Sequence, residues 1–358
     1  MNCLNPTQAW IIGSVISKDG IQSPKITFSF NDAERYFVSK FGLSVGYTIM
    51  EESGISMPCG KCVHCQISKR KDMTTRLSNE MFFYGDSCCF ITLTYNDENI
   101  PTTSYASIKT DGKIVERGIN KAPVQTLLPA DVQKFLKRLR RHLEYIPKSL
   151  RRRVGRDHVD HSIRYFCVGE YGGKTARPHY HILIFGWKPS DLVYHSQRKG
   201  NIVYRSAQIE KLWKYGFSTV QPCGIGVSRY CARYVTKKFV NDSKSFEPCQ
   251  DSFYPEFILQ SVRHGGMGAL FFDKYHEEIL KRGYVTYKTG FTVLKARIPP
   301  YYLRRSRKLY TSEWVTLRDA RISFFKAHKR KPVDYNELLR MAEKFVYDNK
   351  RLTDNDMF

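Results

Sequence analysis

The sequence predicts an α+β fold, a mainly antiparallel sheet with helices packed against it. Two observations carry that expectation. Short runs rich in Ile, Val, Tyr, Phe and Thr occur at 90–95, 163–169, 180–185 and 217–222, bounded by Gly, Pro and Asn turn chemistry. Segments of helical period lie between and after them. The resulting order of strand, helix, strand pair, helix, strand, helix fits a ferredoxin- or RRM-like core.

Taken in order, residues 26–30 (Ile-Thr-Phe-Ser-Phe) alternate like a strand, and Gly46 to Met50 read as a second one. Cys59-Gly-Lys-Cys62-Val-His-Cys65 follows Pro58. Cysteines two residues apart are typical of half a zinc site, which needs a fourth ligand. Cys3 is the candidate for it, with His64 as the alternative. An iron–sulfur cluster shares the spacing, but nothing else in the chain calls for electron transfer. The bland reading is three reduced thiols on a turn. From Cys65 to about Tyr84 the pattern is helical, with Arg76 and Glu80 at ion-pair spacing.

Phe90 to Tyr95 is a strand ended by Asn96-Asp97-Glu98-Asn99 and Pro101. Thr92 and Thr94 share one of its faces, and β propensity alone is enough to place threonines there. Residues 102–127 read as a loop or hairpin. Pro129-Ala-Asp131 then opens a helix with the apolar stripe Val132, Phe135, Leu136, Leu139 and Leu143. Its Lys and Arg residues, like Arg151-Arg152-Arg153, are a solvated face or a phosphate contact.

The next stretch carries the chemistry. Residues 163–170 and 179–185 form a hairpin around the Gly-Gly, Lys and Pro of 171–178. Alternate side chains of a strand share a face, so His179 and His181 point the same way. An antiparallel return brings Glu170 beside them. Two imidazoles and a carboxylate without cysteine suit Mg²⁺ or Mn²⁺ with open positions. Ile209 to Tyr215 is helical and stopped at Gly216; Phe217 to Pro222 is a strand, and Gly224-Ile-Gly226 a turn. With Ser228 as N-cap, the following helix stacks Tyr230 and Tyr234 on one face, continued by Lys237 and Lys238. Cys231, Ala232, Val235 and Phe239 fall on a roughly opposite arc that can pack on the sheet. A phenol beside a metal-polarised phosphodiester can attack phosphorus, and a lysine can neutralise the developing charge. Alone, a His-x-His pair or a Tyr pair four apart is more often structural; their coexistence in a basic chain points to one mechanism.

Three features, Gly169-Glu170-Tyr171-Gly172, His179-Tyr180-His181 and the Tyr-x-x-x-Tyr-x-x-Lys helix, resemble the rolling-circle replication initiators of the HUH endonuclease superfamily. Within it the chain is most similar to replication initiation proteins of small single-stranded-DNA phages, the gokushovirus branch of the microviruses. Phe90-Ile-Thr-Leu-Thr-Tyr95 resembles their first motif, and the Cys-rich run and Leu212-Trp213-Lys-Tyr-Gly216 fit as well. The resemblance covers roughly residues 57 to 270. It implies a five-stranded HUH core and site-specific nicking of one DNA strand. The metal sits on His179, His181 and Glu170. Tyr230 or Tyr234 attacks, leaving a 5′-phosphotyrosine and a 3′-OH primer. Lys237 is the electrostatic helper, with Lys238 or Arg233 as substitutes; Arg233, Lys238 and Arg177 are candidate DNA contacts. Tyr171 and Tyr180 are excluded as nucleophiles, one in the turn and one alternating away.

Composition agrees with such a partner. The 358 residues carry 58 basic against 34 acidic side chains, a formal net charge of +24, which attracts a polyanion in a salt-dependent way. Aromatics, 14% of the chain, offer faces for unpaired bases. No run reaches the length of a spanning helix and no signal peptide is legible, so no membrane is expected and the ten cysteines belong in a reducing host cytoplasm. No phosphate-binding loop of a helicase is present, so a host helicase and polymerase are the expected partners at a single-stranded or supercoiled origin. Three parts are expected: an N-terminal segment with the Cys-rich knuckle (1–85), a catalytic domain (86–245) and a basic, helical C-terminal extension (246–358). Beyond Val240, Asn241 to Ser245 reads as a linker, 271–280 as a helix, 284–293 as a hairpin, and 334–348 as a terminal helix. The competing readings are another HUH nuclease, such as a plasmid initiator, relaxase or transposase, and a non-catalytic zinc-knuckle nucleic-acid-binding protein. The latter leaves the histidine pair and both tyrosines without a role.

Overall fold

A computed structural model describes residues 3–16, 22–103, 106–108, 114–116, 124–144, 163–172, 175–198, 201–237, 254–289, 292–327, 340 and 344. The chain divides into two compact units, one drawn from Met1–Lys69 and Arg304–Tyr347, the other from Arg70–Leu303.

The first unit begins with β1 (Thr7–Ile16), which pairs antiparallel with β2 (Gln22–Thr27) on one side and β3 (Ile55–Met57) on the other. Helices α1 (Phe30–Phe41) and α2 (Leu43–Ser53) lie between β2 and β3 in sequence. The run at 26–30 is therefore only half strand. Ser29 accepts from the Asp32 N–H at 3.2 Å and starts α1 at Phe30. Gly46 to Met50 is helix, not strand. Gly46 lets α2 approach α1 closely, since a Cβ there would stand 2.7 Å from the Phe37 carbonyl oxygen. Trp10, Ala33, Phe37 and Met50 form the core of this unit, and the indole N–H of Trp10 donates to the Met50 carbonyl at 2.9 Å. Helix α3 (Val63–Tyr84) starts in this unit and continues into the second.

The second unit is built on an all-antiparallel sheet of seven strands rather than the five expected. From α3 the chain enters β4 (Cys88–Tyr95). Two short ribbons follow, β5 (Thr102–Thr103) with β8 (Val124–Gln125) and β6 (Ala106–Ile108) with β7 (Ile114–Glu116). Then come α4 (Pro129–Glu144), β9 (Arg164–Tyr171) and β10 (Pro178–Phe185). After them lie β11 (Val193–Arg198), β12 (Asn201–Arg205), α5 (Ala207–Leu212), β13 (Gly216–Pro222) and α6 (Ile225–Lys237). The last strand of the sheet, β14 (Phe257–Gln260), precedes α7 (Ala269–Arg282). A separate hairpin, β15 (Tyr284–Thr289) and β16 (Thr292–Arg297), leads to α8 (Pro300–Leu309) and α9 (Thr311–Ala327). The sheet order is β11-β12-β13-β4-β10-β9-β14. The two strands beyond five come from the β11–β12 hairpin and from β14, which cover edges that would otherwise present unpaired backbone groups.

Period-two alternation decides what each face of the sheet holds. Cys89, Ile91, Leu93 and Tyr95 of β4, with Tyr180, Ile182 and Ile184 of β10, pack against Val132, Phe135, Leu136, Leu139 and Leu143 of α4, the stripe its periodicity predicts. The opposite face carries Cys88 and Phe90, Phe166 and Val168, Leu183 and Phe185 against Leu77 of α3 and Tyr230, Cys231, Ala232 and Tyr234 of α6. Toward one end of that second face the apolar residues give way to Thr92, Glu170, His179 and His181, which alternate into the same layer.

Three local expectations change. Helix α5 ends at Leu212, because Trp213 turns its indole N–H onto the Thr94 carbonyl at 3.1 Å. Gly216, at φ +152°, lies so close to β4 that a Cβ would stand 2.3 Å from the Asn96 nitrogen. Ser228 is not a cap: α6 starts at Ile225, and the Ser228 hydroxyl is buried 3.6 Å from the Met81 sulfur. Glu80 takes Arg164, not its helical neighbour Arg76, as its ion-pair partner; Arg76 donates to the Met267 carbonyl at 2.9 Å and lies over the Tyr301 ring. Arg151 to Arg153, Lys238, Phe239, the 241–245 linker and most of 334–348 lie outside the described residues.

Candidate active site

Register brings the predicted residues together. His179 faces Glu170 across β9 and β10, and His181 faces Thr92 across β10 and β4. The Glu170 Oε1 atom lies 3.0 Å from His179 Nε2 and 2.7 Å from His181 Nε2. One ligand atom from each of the three residues falls within 4.8 Å of the other two. His181 is fully buried and stacked on Phe90, whereas His179 keeps 16% of its side chain open to solvent.

The far side of each imidazole is held as well. His179 Nδ1 lies 3.0 Å from the Arg177 carbonyl oxygen, and His181 Nδ1 3.1 Å from the Thr92 hydroxyl. A carbonyl only accepts, so His179 Nδ1 carries the proton and donates it, which turns a bare Nε2 lone pair toward the Glu170 carboxylate when the ring is neutral. Two acceptors 3.0 Å apart repel unless a cation, either a proton or a metal ion, lies with them. The donor set therefore fits a divalent ion held by His179, His181 and Glu170, with the other ring nitrogens fixed by partners behind them. Burial would raise the Glu170 carboxyl, but the His181 and His179 imidazoles beside it hold it well below the usual carboxylate range.

Helix α6 lays its tyrosines on this cluster. The Tyr230 hydroxyl donates to Glu170 Oε1 at 2.8 Å and stands 3.0 Å from His181 Nε2. The Tyr234 hydroxyl donates to that of Tyr230 at 2.8 Å. Both phenols are buried. Burial first, and then the Glu170 charge, raise both well above the ordinary tyrosine value. The sequence reading set the tyrosines apart from the packing arc, yet Tyr230, Cys231, Ala232 and Tyr234 all lie in one buried face.

Other candidates fall further out. Lys237 is the last residue of α6. The Arg233 guanidinium lies 5.5 Å from the centre of the Tyr230 ring. Arg177 is committed locally: Nε and Nη2 donate to the Tyr95 carbonyl at 3.1 and 2.8 Å, and Nη1 pairs with Asp97 at 2.8 Å. That engagement braces the end of β4 and weighs against Arg177 as a free DNA contact. Tyr180 points to the other face, where its hydroxyl meets that of Tyr95 at 2.8 Å, and Tyr171 donates to the Tyr254 carbonyl at 2.6 Å. Thr92, read from sequence as support, is the His181 partner; its signal was the shared face with Thr94. In the first unit, Cys3 joins Cys59, Cys62 and Cys65 with all four sulfurs within 4.8 Å of one another.

Among the described residues no helix is long and apolar enough to cross a membrane. Residues 88–239 match the family model of the ORF2-type replication-associated proteins, a span that runs from β4 through α6. Among curated proteins the chain is 29% identical over 267 residues to Replication-associated protein VP4 of Bdellovibrio phage phiMH2K, covering 74% of this chain and 72% of that one. It is 28% identical over 316 residues to Replication-associated protein ORF2 of Spiroplasma virus 4, covering 88% and 83%. It is 30% identical over 210 residues to Replication-associated protein ORF4 of Chlamydia phage 1, covering 57% and 43%. No solved structure gives a significant match. The chain is thus a relative of the replication-associated proteins of small phages, and the segment that bears its clustered histidines, carboxylate and tyrosines is the segment that matches their family.

Proposed function

We propose that this protein starts rolling-circle replication by cutting one DNA strand at an origin and holding the cut end on a tyrosine. One observation carries the reading: a buried phenol, that of Tyr230, rests within 2.8 and 3.0 Å of atoms of two of the three candidate metal ligands. A phenol with only a packing role has no need of that position, and a metal site with only a structural role has no need of two tyrosines.

The divalent ion, Mg²⁺ or Mn²⁺, supplies Lewis-acid polarisation of the scissile phosphate when bound. His179, His181 and Glu170 hold it, and Thr92 and the Arg177 carbonyl keep the imidazoles turned toward it. Tyr230 gives up its proton and its oxygen attacks phosphorus. The P–O3′ bond breaks, the 3′ oxygen takes up a proton, and the 5′-phosphate remains as a phosphotyrosine ester. Because one ester replaces another, the bond is kept for rejoining rather than lost to water. Tyr234, hydrogen-bonded to Tyr230, is placed to serve in a second cleavage at the regenerated origin. Lys237, one turn on, is the group assigned to the charge that develops on the phosphate. The released 3′-OH primes a host polymerase in the bacterial cytoplasm, with a host helicase opening the duplex.

The partly open His179 gives the test. His179→Ala should abolish Mn²⁺-dependent nicking of a labelled single-stranded origin oligonucleotide while leaving its binding. Undiminished nicking by that variant would remove the ion from the mechanism.

A further inference from the structure

We propose that Cys3, Cys59, Cys62 and Cys65 bind a structural zinc ion that ties the amino-terminal segment to the start of α3. The geometry points to it directly. Cys3 and Cys62 sulfurs are 3.7 Å apart, Cys3 and Cys65 3.7 Å, and Cys59 and Cys65 4.0 Å. A tetrahedron with metal–sulfur bonds of about 2.3 Å has edges of about 3.8 Å. A disulfide needs about 2.05 Å, and no pair among the four approaches that.

The surroundings of the sulfurs suit thiolate ligands. The Cys59 N–H points at the Cys3 sulfur at 3.3 Å, and the Lys61 and Cys62 N–H groups point at the Cys59 sulfur at 3.4 and 3.2 Å. Donors aimed at sulfur stabilise the charged form and fix ligand direction. Gly60, at φ +72°, makes the tight turn between Cys59 and Cys62. Its carbonyl accepts from Gln66 Nε2 at 3.0 Å and from Lys69 Nζ at 2.9 Å, so the first turns of α3 clamp the loop from behind. His64, the alternative fourth ligand, is displaced by Cys3, which comes from 56 residues before Cys59.

Four sulfurs so close together leave no room for a multi-iron cluster between them, and an all-sulfur tetrahedron selects zinc among common divalent ions. The benefit is conformational. Without an ion, four crowded thiols at the end of a long helix gain nothing from converging, whereas a bound ion makes the closed loop part of folding itself. Zinc here is independent of the chemistry at Tyr230.

The test is metal analysis of the full-length protein, purified under reducing conditions without chelator. One zinc per chain is expected, and titration with an organomercurial should release it as four thiols react. Replacement by Co²⁺ should give the intense visible bands and sulfur-to-metal charge-transfer absorption of a tetrahedral thiolate site. The double variant Cys59→Ser/Cys62→Ser should lose the zinc, while His179→Ala/His181→Ala should keep it, which separates this site from the one at Tyr230. If the cysteine variant does not fold, the mercurial titration and the cobalt spectrum of the unaltered sequence still decide. Reduced protein without zinc, iron in its place, zinc lost with the histidines, or cysteines found joined as disulfides would each overturn the assignment.

Discussion

Tyr230 and Tyr234 are one helical turn apart yet occupy unequal places. Tyr230 touches Glu170 and His181, while Tyr234 is hydrogen-bonded behind it. The two should therefore differ in a single-turnover assay. Tyr230→Phe is expected to slow the first cleavage on the order of 10²-fold or more, whereas Tyr234→Phe should leave the first cleavage and impair the second. Equal loss in both variants would mean that the phenols exchange places freely. Much of this was legible in the residues. Period two puts His179 and His181 on one face, and an antiparallel return brings Glu170 to them. The rotation of α6 about its axis was not legible. Residues 230, 231, 232 and 234 span a broad arc, and which part of it meets the sheet depends on Phe90, Phe166 and Leu183, far off in sequence. Thr92 was hidden for a similar reason, since its role depends on lying opposite His181.

Single elements depend on a buried connection outside the site. Arg164 of β9 pairs with Glu80 of α3 and donates at 3.0 Å to the carbonyls of Gly265 and Gly266, and the Glu80 carboxylate also accepts from the Gly268 N–H. Helix, sheet edge and the 263–268 loop are thus joined through one guanidinium. The Glu80 and Arg164 side chains are almost wholly excluded from water. Arg164→Ala should destabilise the protein by about 3–5 kcal/mol, because it strands a buried carboxylate. Urea denaturation checks this; a loss below about 1 kcal/mol would show that Glu80 finds another partner. Sequence reading paired Glu80 with Arg76 because helical spacing is local information, whereas Arg164 is 84 residues away. Length and edge position limited the strand assignments in the same way. The central strands β4 and β10 announce themselves through nearly continuous apolar runs. The β11–β12 hairpin is half-exposed, and β14 has only four residues, so neither carries a strong apolar signature.

At the scale of the whole molecule, charge and chemistry serve one partner. A net charge of +24 draws in a polyanion wherever it approaches, but it selects no single bond. Selection of the bond requires the buried end of the sheet, where His179 alone among the three candidate ligands opens to solvent. The relatives' names support a role in replication, and the 88–239 match coincides with the strands and helices that build the site. The most direct measurement is to incubate the protein with single-stranded DNA of its own replicon and Mn²⁺, denature it, and sequence the peptide that retains DNA. The expected result is a 5′-phosphate linked to Tyr230 or Tyr234. DNA that binds but never becomes covalently attached, or attaches at another residue, would contradict a tyrosine nucleophile on α6.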